Sequence, residues 1–253
     1  MKVLTDVRLL FWRKMLETLR NPVYVLTNLS APVIYLVLFA PLLKRVAGNG
    51  VFTSGNVVDT FVPGLLAIVA FFNGLFAGWG IIDELRSGVV ERFRVTPTSR
   101  FALLAGPVLR DLVNLLVTVV FFAIVAIPFG FHLHFFGFIV LLALISLLLI
   151  TTSSFANAMG LILKDEDRLA PIVQGVNLPV LLLAGMLLPM SLAPQWLQIV
   201  AHFNPVYYVV EAARLLAIGE VAEAKVAQAF LVMIPLTAVV MAWATRAYNR
   251  AIA

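Results

Sequence analysis

The 253 residues are 62% apolar and 12% charged, with a net charge of +5 and no cysteine. A soluble domain carries about 25% charged residues, so this composition excludes a water-soluble globule and describes an integral membrane protein. The missing cysteines exclude a disulfide framework, a thiolate nucleophile and any thiolate metal site.

Residues 1–21 hold five basic side chains, Lys2, Arg8, Arg13, Lys14 and Arg20. Wound as a helix, Lys2, Asp6, Arg13, Glu17 and Arg20 fall on one narrow stripe, while Leu4, Val7, Phe11, Trp12, Met15 and Leu19 cover much of the rest. Arg8 and Lys14 lie off the stripe and are expected to snorkel. This pattern predicts an interfacial helix on a membrane surface. The following apolar stretch is longer than a signal-peptide core of about 7–15 residues and lacks a convincing small-residue cleavage site, so an uncleaved span is expected.

Apolar runs predict six spans near 22–43, 61–82, 103–129, 135–162, 170–190 and 227–247. A Gly-rich loop covers 43–60, a tight turn (GFHLH) covers 130–134, and a charged turn (KDEDR) covers 164–168. The stretch 83–100 is amphipathic: Leu85, Val89 and Phe93 recur at helical spacing among Glu84, Arg86, Glu91, Arg92 and Arg94. Thr96-Pro97 ends it, because the residue before proline avoids the helical region. Residues 191–226 contain two apolar pieces broken at Asn204-Pro205. His202, Glu211 and Arg214 argue against a seventh crossing, and two short re-entrant or interfacial helices are expected, with Glu211 and Arg214 three apart on one face.

Six spans place both termini on one side. Of the 18 Lys and Arg residues, 14 then fall on that side and four (Lys44, Arg45, Arg214, Lys225) on the other. The positive-inside rule puts the termini and the 83–100 segment in the cytoplasm. This asymmetry, rather than nucleic-acid binding, accounts for the net charge.

Two stretches carry a family resemblance. The first is Glu84, Arg86, Gly88, Glu91, Arg92, Phe93, Val95, Thr96, Pro97, Ser99 and Arg100. The second is Gly185, Pro189, Pro194, Trp196, Leu197, Asn204, Pro205, Tyr207, Tyr208, Glu211 and Arg214. In this order they resemble the cytoplasmic coupling segment and the external helical hairpin of type-2 ABC-transporter permeases, the membrane subunits of daunorubicin-type drug, nodulation-factor and polysaccharide exporters. The resemblance implies an all-α polytopic fold of the type V exporter kind. It would have an interfacial helix at 1–21, a six-span domain over 22–253, a coupling helix near 84–97 (Arg94 included) and a hairpin near 191–226 that caps or gates the path. It also implies a bacterial inner-membrane location, two copies of a separate ATPase subunit that bind the ATP and Mg2+, and a second permease copy, a homodimer being favoured. Surrounding lipid completes the expected partners.

The chain has no P-loop, since none of its five lysines follows a glycine; no catalytic triad, H-E-x-x-H or G-x-S-x-G pattern occurs either. Asp165-Glu166-Asp167 reads as a solvated turn rather than the metal-binding D-x-D of a glycosyltransferase. His132 and His134 read as interfacial or solvated histidines rather than metal ligands. Asn73, Asn114, Asn157, Gln174 and Asn177 fall in expected spans, where interhelical hydrogen bonds are the first expectation. Lining a substrate path is the second, with Phe71, Phe72, Asn73, Phe76 and Asn177 as its candidates. The rival function is an ATP-independent secondary carrier, which would carry inverted repeats and carboxylates at mid-depth. No Asp or Glu is expected near the middle of a span.

Overall fold

The computed structural model describes residues 2–47, 57–90, 99–185, 190 and 193–252. The described residues are helical: α1 (Lys2–Leu19), α2 (Pro22–Ala47), α3 (Val57–Arg86), α4 (Arg100–Ala126), α5 (Phe135–Leu163), α6 (Glu166–Leu183), α7 (Gln195–Ala201), α8 (Pro205–Ala217) and α9 (Ala224–Ile252), with a 3-10 turn at Ile127–Phe129. Four helices are long and apolar enough to cross a membrane: Phe61–Arg86, Arg100–Phe129, Phe135–Leu163 and Ala224–Arg250. The pair Val3–Leu19 and Pro22–Leu38, bent by 80° at Arg20-Asn21, qualifies together as a fifth. This is a polytopic membrane protein. The expected span at 170–190 falls on α6, whose first turn holds Glu166 and Asp167 with Arg168 beside them. Its stretch from Leu169 to Leu183 reaches about 22 Å of a ~30 Å core, and residues 186–189 of the expected span lie outside the described residues.

The centre of the bundle is the contact of α3 with α5. A Cβ at Gly74 would sit 1.9 Å from Thr152 Oγ1 and 2.9 Å from the Ser153 backbone nitrogen. One at Gly78 would sit 2.8 Å from the Ala156 carbonyl oxygen, and one at Gly160 would sit 2.6 Å from the Gly78 carbonyl oxygen. The pairs 74–152, 78–156 and 78–160 advance together, so α3 and α5 run parallel. In lipid, tails are as apolar as leucine, so helices associate through close packing of small residues rather than by escaping water. The G-x-x-x-G at 74–78 and the run Thr152-Ser153-x-x-Ala156 supply that closeness. α9 joins the same layer, with Thr151 Oγ1 and Thr237 Oγ1 2.7 Å apart and the rings of Phe155 and Trp243 stacked at 5.8 Å. α8 buries Val206, Val209, Val210, Ala213 and Leu216 in the core.

The turns are made by capping. Lys164, at φ 56°, ends α5 with its N–H on the Gly160 carbonyl. Asp165 then caps α6, accepting from the Asp167 N–H at 3.0 Å, which leaves a two-residue reversal. At the far end, Gly130 (φ 101°) closes the 3-10 turn. Asp59 of α3 pins the loop by accepting from the His132 N–H at 2.9 Å, with His132 Nδ1 2.9 Å from its other oxygen. His134 Nδ1 lies 2.9 Å from the Ala217 carbonyl. Both histidines, expected as interfacial or solvated groups, are in addition tie-points between elements.

Gly74→Ala is expected to destabilise the protein by about 1–3 kcal/mol through overpacking against the α5 backbone. Gly80→Ala, where a Cβ meets nothing within 4 Å, should be neutral or slightly stabilising. Thermal unfolding of both variants in detergent checks the pair.

Candidate functional site

Three regions hold the residues that the sequence singled out. The first is the end of the bundle where α3 stops. α3 continues through Glu84 to Arg86, and the chain then turns at Ser87-Gly88, with Ser87 N–H on the Asp83 carbonyl and Gly88 N–H on that of Leu85. Gly88 is at φ 70°, and a Cβ there would meet nothing, so conformation rather than space calls for glycine. Residues 84–86 of the amphipathic helix expected near 84–97 therefore belong to α3. Leu85 belongs to the end of α3, and Val89 and Val90 lie beyond a left-handed break, so Leu85 and Val89 do not share one continuous helix face. Glu91, Arg92, Phe93, Arg94, Val95, Thr96 and Pro97 lie outside the described residues.

Glu84 faces inward. Its Oε1 lies 2.7 Å from Lys14 Nζ and 2.9 Å from Arg13 Nη2, and its side chain is 12% exposed. Lys14, expected to snorkel, is instead drawn into this contact with a side chain 14% exposed, because a buried carboxylate offers it more than the interface does. A further tie joins α1 to the start of α4, where Asp6 Oδ2 accepts from the Ser99 N–H at 3.1 Å. Gly106 lets the two helices touch, since a Cβ there would sit 2.6 Å from Leu10 Cβ. The opposite side of α1 leaves Leu9, Trp12, Leu16 and Leu19 exposed, the apolar stripe of an interfacial helix. Arg86 pairs with Glu166, so the 164–168 turn meets the end of α3.

A polar string runs inward from α1. Arg110 Nη1 lies 3.4 Å from Thr18 Oγ1, and Arg110 Nε lies 3.1 Å from Asp111 Oδ1. Ser153 Oγ donates to Asp111 Oδ2 at 2.8 Å, and Asn157 Nδ2 donates to the Ser153 carbonyl at 2.8 Å. Asp111 is 7% exposed and lies within the candidate span Arg100–Phe129. The expectation that no Asp or Glu sits near the middle of a span meets its exception here, Asp111 being the twelfth of the 30 residues Arg100–Phe129. The signal was an Arg-Asp dipeptide inside an apolar run, hidden because Arg110 counts among the basic flank. The amides also differ from expectation. Asn73 and Asn157 bond to carbonyls of their own helices, those of Val69 and Ser153, while Ser153–Asp111 and Thr151–Thr237 supply side-chain links between helices. Gln174 is exposed.

The second region is an apolar groove of about 500 Å³ between α2 and α3, closed at one edge by Leu181 of α6. Phe72, Asn73 and Phe76 line it together with Tyr35 and Phe61, and the rings of Phe72 and Phe76 stack at 6.2 Å. Phe71 is buried in the core instead, and Asn177 lies on α6 with its side-chain oxygen buried. Of the five path candidates, the structure gathers three on the groove wall.

The third region is the hairpin at the opposite end. α7, capped by Pro194, and α8 are 7 and 13 residues long, about 10 and 20 Å, too short for a seventh crossing. Asn204 caps α8 by accepting from the Val206 N–H at 3.1 Å and donates to the Val180 carbonyl of α6 at 2.9 Å. Pro205 takes the first helical position, where its missing N–H costs nothing. Glu211 lies 3.3 Å from Arg214 and 3.1 Å from Lys225, and Arg214 also donates to the Gly185 carbonyl. Tyr208 donates to the His202 carbonyl at 3.0 Å. Burial, with Glu211 adding to it, pushes the Tyr207 hydroxyl above its ordinary value, so it stays neutral. Trp196 is 65% exposed.

Glu84→Gln removes the buried carboxylate that Arg13 and Lys14 share, leaving them the exposed Glu17, and is expected to cost about 1–3 kcal/mol. Glu17→Gln, at a carboxylate 50% exposed, should cost under about 0.5 kcal/mol. Detergent melting curves of the two variants test this difference, with limited proteolysis after α1 as a second readout.

The comparisons with known proteins agree with one another. Residues 5–217 match the family described as ABC-2 type transporter. A protein named as transport permease ycf38 from Cyanophora paradoxa is 28% identical over 206 residues, covering 81% of this chain and 71% of that protein. Another from Porphyra purpurea is 25% identical, covering 84% and 74%. The daunorubicin resistance ABC transporter permease protein DrrB1 of Streptomyces coeruleorubidus is 23% identical over 210 residues, covering 82% and 73%. With a polytopic helical bundle matched over most of its length, this chain belongs to the ABC-2 type transporter family and is a membrane subunit of an ABC transporter.

Proposed function

We propose that the protein is the permease of an ATP-driven exporter, moving a lipophilic or lipid-linked substrate outward while separate ATPase subunits supply the energy. The observation that carries this reading is the family match over residues 5–217 in a chain whose lysines form no P-loop. Six spans with both termini in the cytoplasm of a bacterial inner membrane complete the proposed topology, supported by the division of basic residues, 13 to 4 once Arg110 is counted within its span. Two permease copies and two ATPase subunits form the proposed assembly.

In this reading the ATPase grips the segment that follows Gly88, with Arg92, Phe93 and Arg94 at the contact. Its motion enters the membrane domain by two routes. One is α3 itself, which ends one turn before that segment. The other is α1, held to Glu84 through Arg13 and Lys14. The groove lined by Phe72, Asn73 and Phe76 then serves as part of the substrate path, and the hairpin caps it from outside. The apolar lining supports a lipophilic substrate. The rival carrier mechanism has one supporting observation, the buried Asp111, yet that carboxylate is already engaged by Arg110 and Ser153.

The test is affinity purification of the tagged protein in mild detergent with identification of what accompanies it. A P-loop ATPase is expected with the wild type, and its recovery should fall at least about tenfold in Phe93→Asp, since a carboxylate buried in a docking groove costs several kcal/mol. Equal recovery with the variant would move the contact elsewhere. No ATPase with intact, folded wild type would favour the carrier.

A further inference from the structure

Between the hairpin and the first turns of α9 lies a second cleft, of about 370 Å³. His202 of the α7 C-terminus, Tyr207, Tyr208 and Glu211 of α8, and Lys225 and Gln228 of α9 form its polar part. Leu231 and Val232 form its floor, and Leu231 is 75% exposed. From Lys225 through Gln228 to Leu231 the α9 wall passes from charged to polar to apolar over six residues. That is about 9 Å, enough to pass through one headgroup layer of about 5–8 Å. Tyr207, Tyr208 and the exposed Trp196 sit at the same end, where aromatic belts mark the membrane surface. A solute from bulk water has no use for such a gradient. An amphiphile has.

The charges select among amphiphiles. Glu211 uses one oxygen for Arg214 and the other for Lys225. Arg214 is fixed, with its side chain 12% exposed and a second bond to the Gly185 carbonyl. Lys225 is the movable cation, 58% exposed on a flexible stem, with Glu223 near enough to act on its charge beside Glu211. A phosphate can draw Lys225 away, and the freed Glu211 oxygen then accepts from an ammonium group. The Tyr207 ring, 5.2 Å from that of His202 and 5.5 Å from that of Tyr208, belongs to an aromatic cluster beside the carboxylate, whose faces favour a cation. Each charge keeps an opposite partner before and after the exchange.

We propose that this cleft binds one phospholipid with a zwitterionic, amine-bearing headgroup, its phosphate on Lys225, its ammonium at Glu211 and the tyrosine rings, and one acyl chain along Leu231. On the topology proposed above, the lipid belongs to the outer leaflet. The binding itself does not depend on the ATP-driven reading and is measurable on the permease alone, so failure of either leaves the other standing.

The experiment reconstitutes the purified permease in nanodiscs of equal phosphatidylethanolamine and phosphatidylglycerol with matched acyl chains. The lipid retained on release into mild detergent is then counted by native mass spectrometry. Wild type should retain one phosphatidylethanolamine in preference to phosphatidylglycerol by about tenfold, the scale of one charge-assisted contact with an aromatic face. Tyr207→Leu, at a half-buried position, should bring that ratio near one, whereas Lys225→Gln, at an exposed position, removes the phosphate contact that both lipids share and should lower the retention of both, each variant melting within a few degrees of wild type. Equal retention of the two lipids by wild type, an unchanged ratio in Tyr207→Leu, or undiminished retention of both lipids by Lys225→Gln overturns the proposal. So does displacement of the retained lipid by soluble glycerophosphoethanolamine at equimolar concentration, which would identify the ligand as a free headgroup ester rather than a membrane lipid.

Discussion

Everything in this bundle hangs on how closely α3 approaches α5. Within a bilayer there is no water to escape, so packing and polar links between helices must supply the cohesion. Gly74, Gly78 and Gly160 let backbone meet backbone or a short hydroxyl side chain, and the dispersion contacts so gained are individually small but numerous. Once these two helices are locked in parallel register, the positions of the other parts follow. The end of α3 delivers Glu84 to α1. The start of α3 delivers Asp59 to the 130–134 loop. The far side of α5 receives α9 through Thr151 and Phe155.

Ionic contacts then distribute themselves by depth. At one end a single carboxylate, Glu84, is shared by two cations of α1. At the other, Glu211 is shared by Arg214 and Lys225. Both are acid centres with two basic partners, and both join one helix to another, α3 to α1 and α8 to α9. The interfacial helix thereby becomes a mechanical part of the membrane domain, while its leucine and tryptophan stripe remains free to face lipid.

The parts that were legible in the sequence are those where one physical signal dominates. The charge stripe of residues 1–21, the Asn204-Pro205 helix start and the absence of a P-loop each rest on a few residues whose chemistry leaves little choice. The corrections arose where two signals competed. Leu85, Val89 and Phe93 have helical spacing, but Gly88 between them adopts a left-handed conformation, and a periodicity count is blind to that. Lys14, off the charged stripe, turns inward rather than snorkelling because of Glu84, 70 residues away in sequence and reached only after folding. Asp111 was masked by its neighbour Arg110, which marks the edge of a basic flank in any count of loop charges. The path residues Phe71 and Phe72 are adjacent, yet one enters the core and the other the groove, a division set by which helix lies opposite.

Asp111 also bears on how the chain enters the membrane. A charged side chain at the centre of an isolated helix costs about 2.5–3.5 kcal/mol on insertion scales, and here Arg110 stands beside it. The residue that donates to its carboxylate, Ser153, belongs to the next span, and only the eight residues 127–134 separate α4 from α5. α4 is therefore better inserted as half of a hairpin than alone, with α5 arriving in time to cover the acid. The order of synthesis and the site of the charge are matched: the helix that carries the polar burden is followed at once by the one that relieves it.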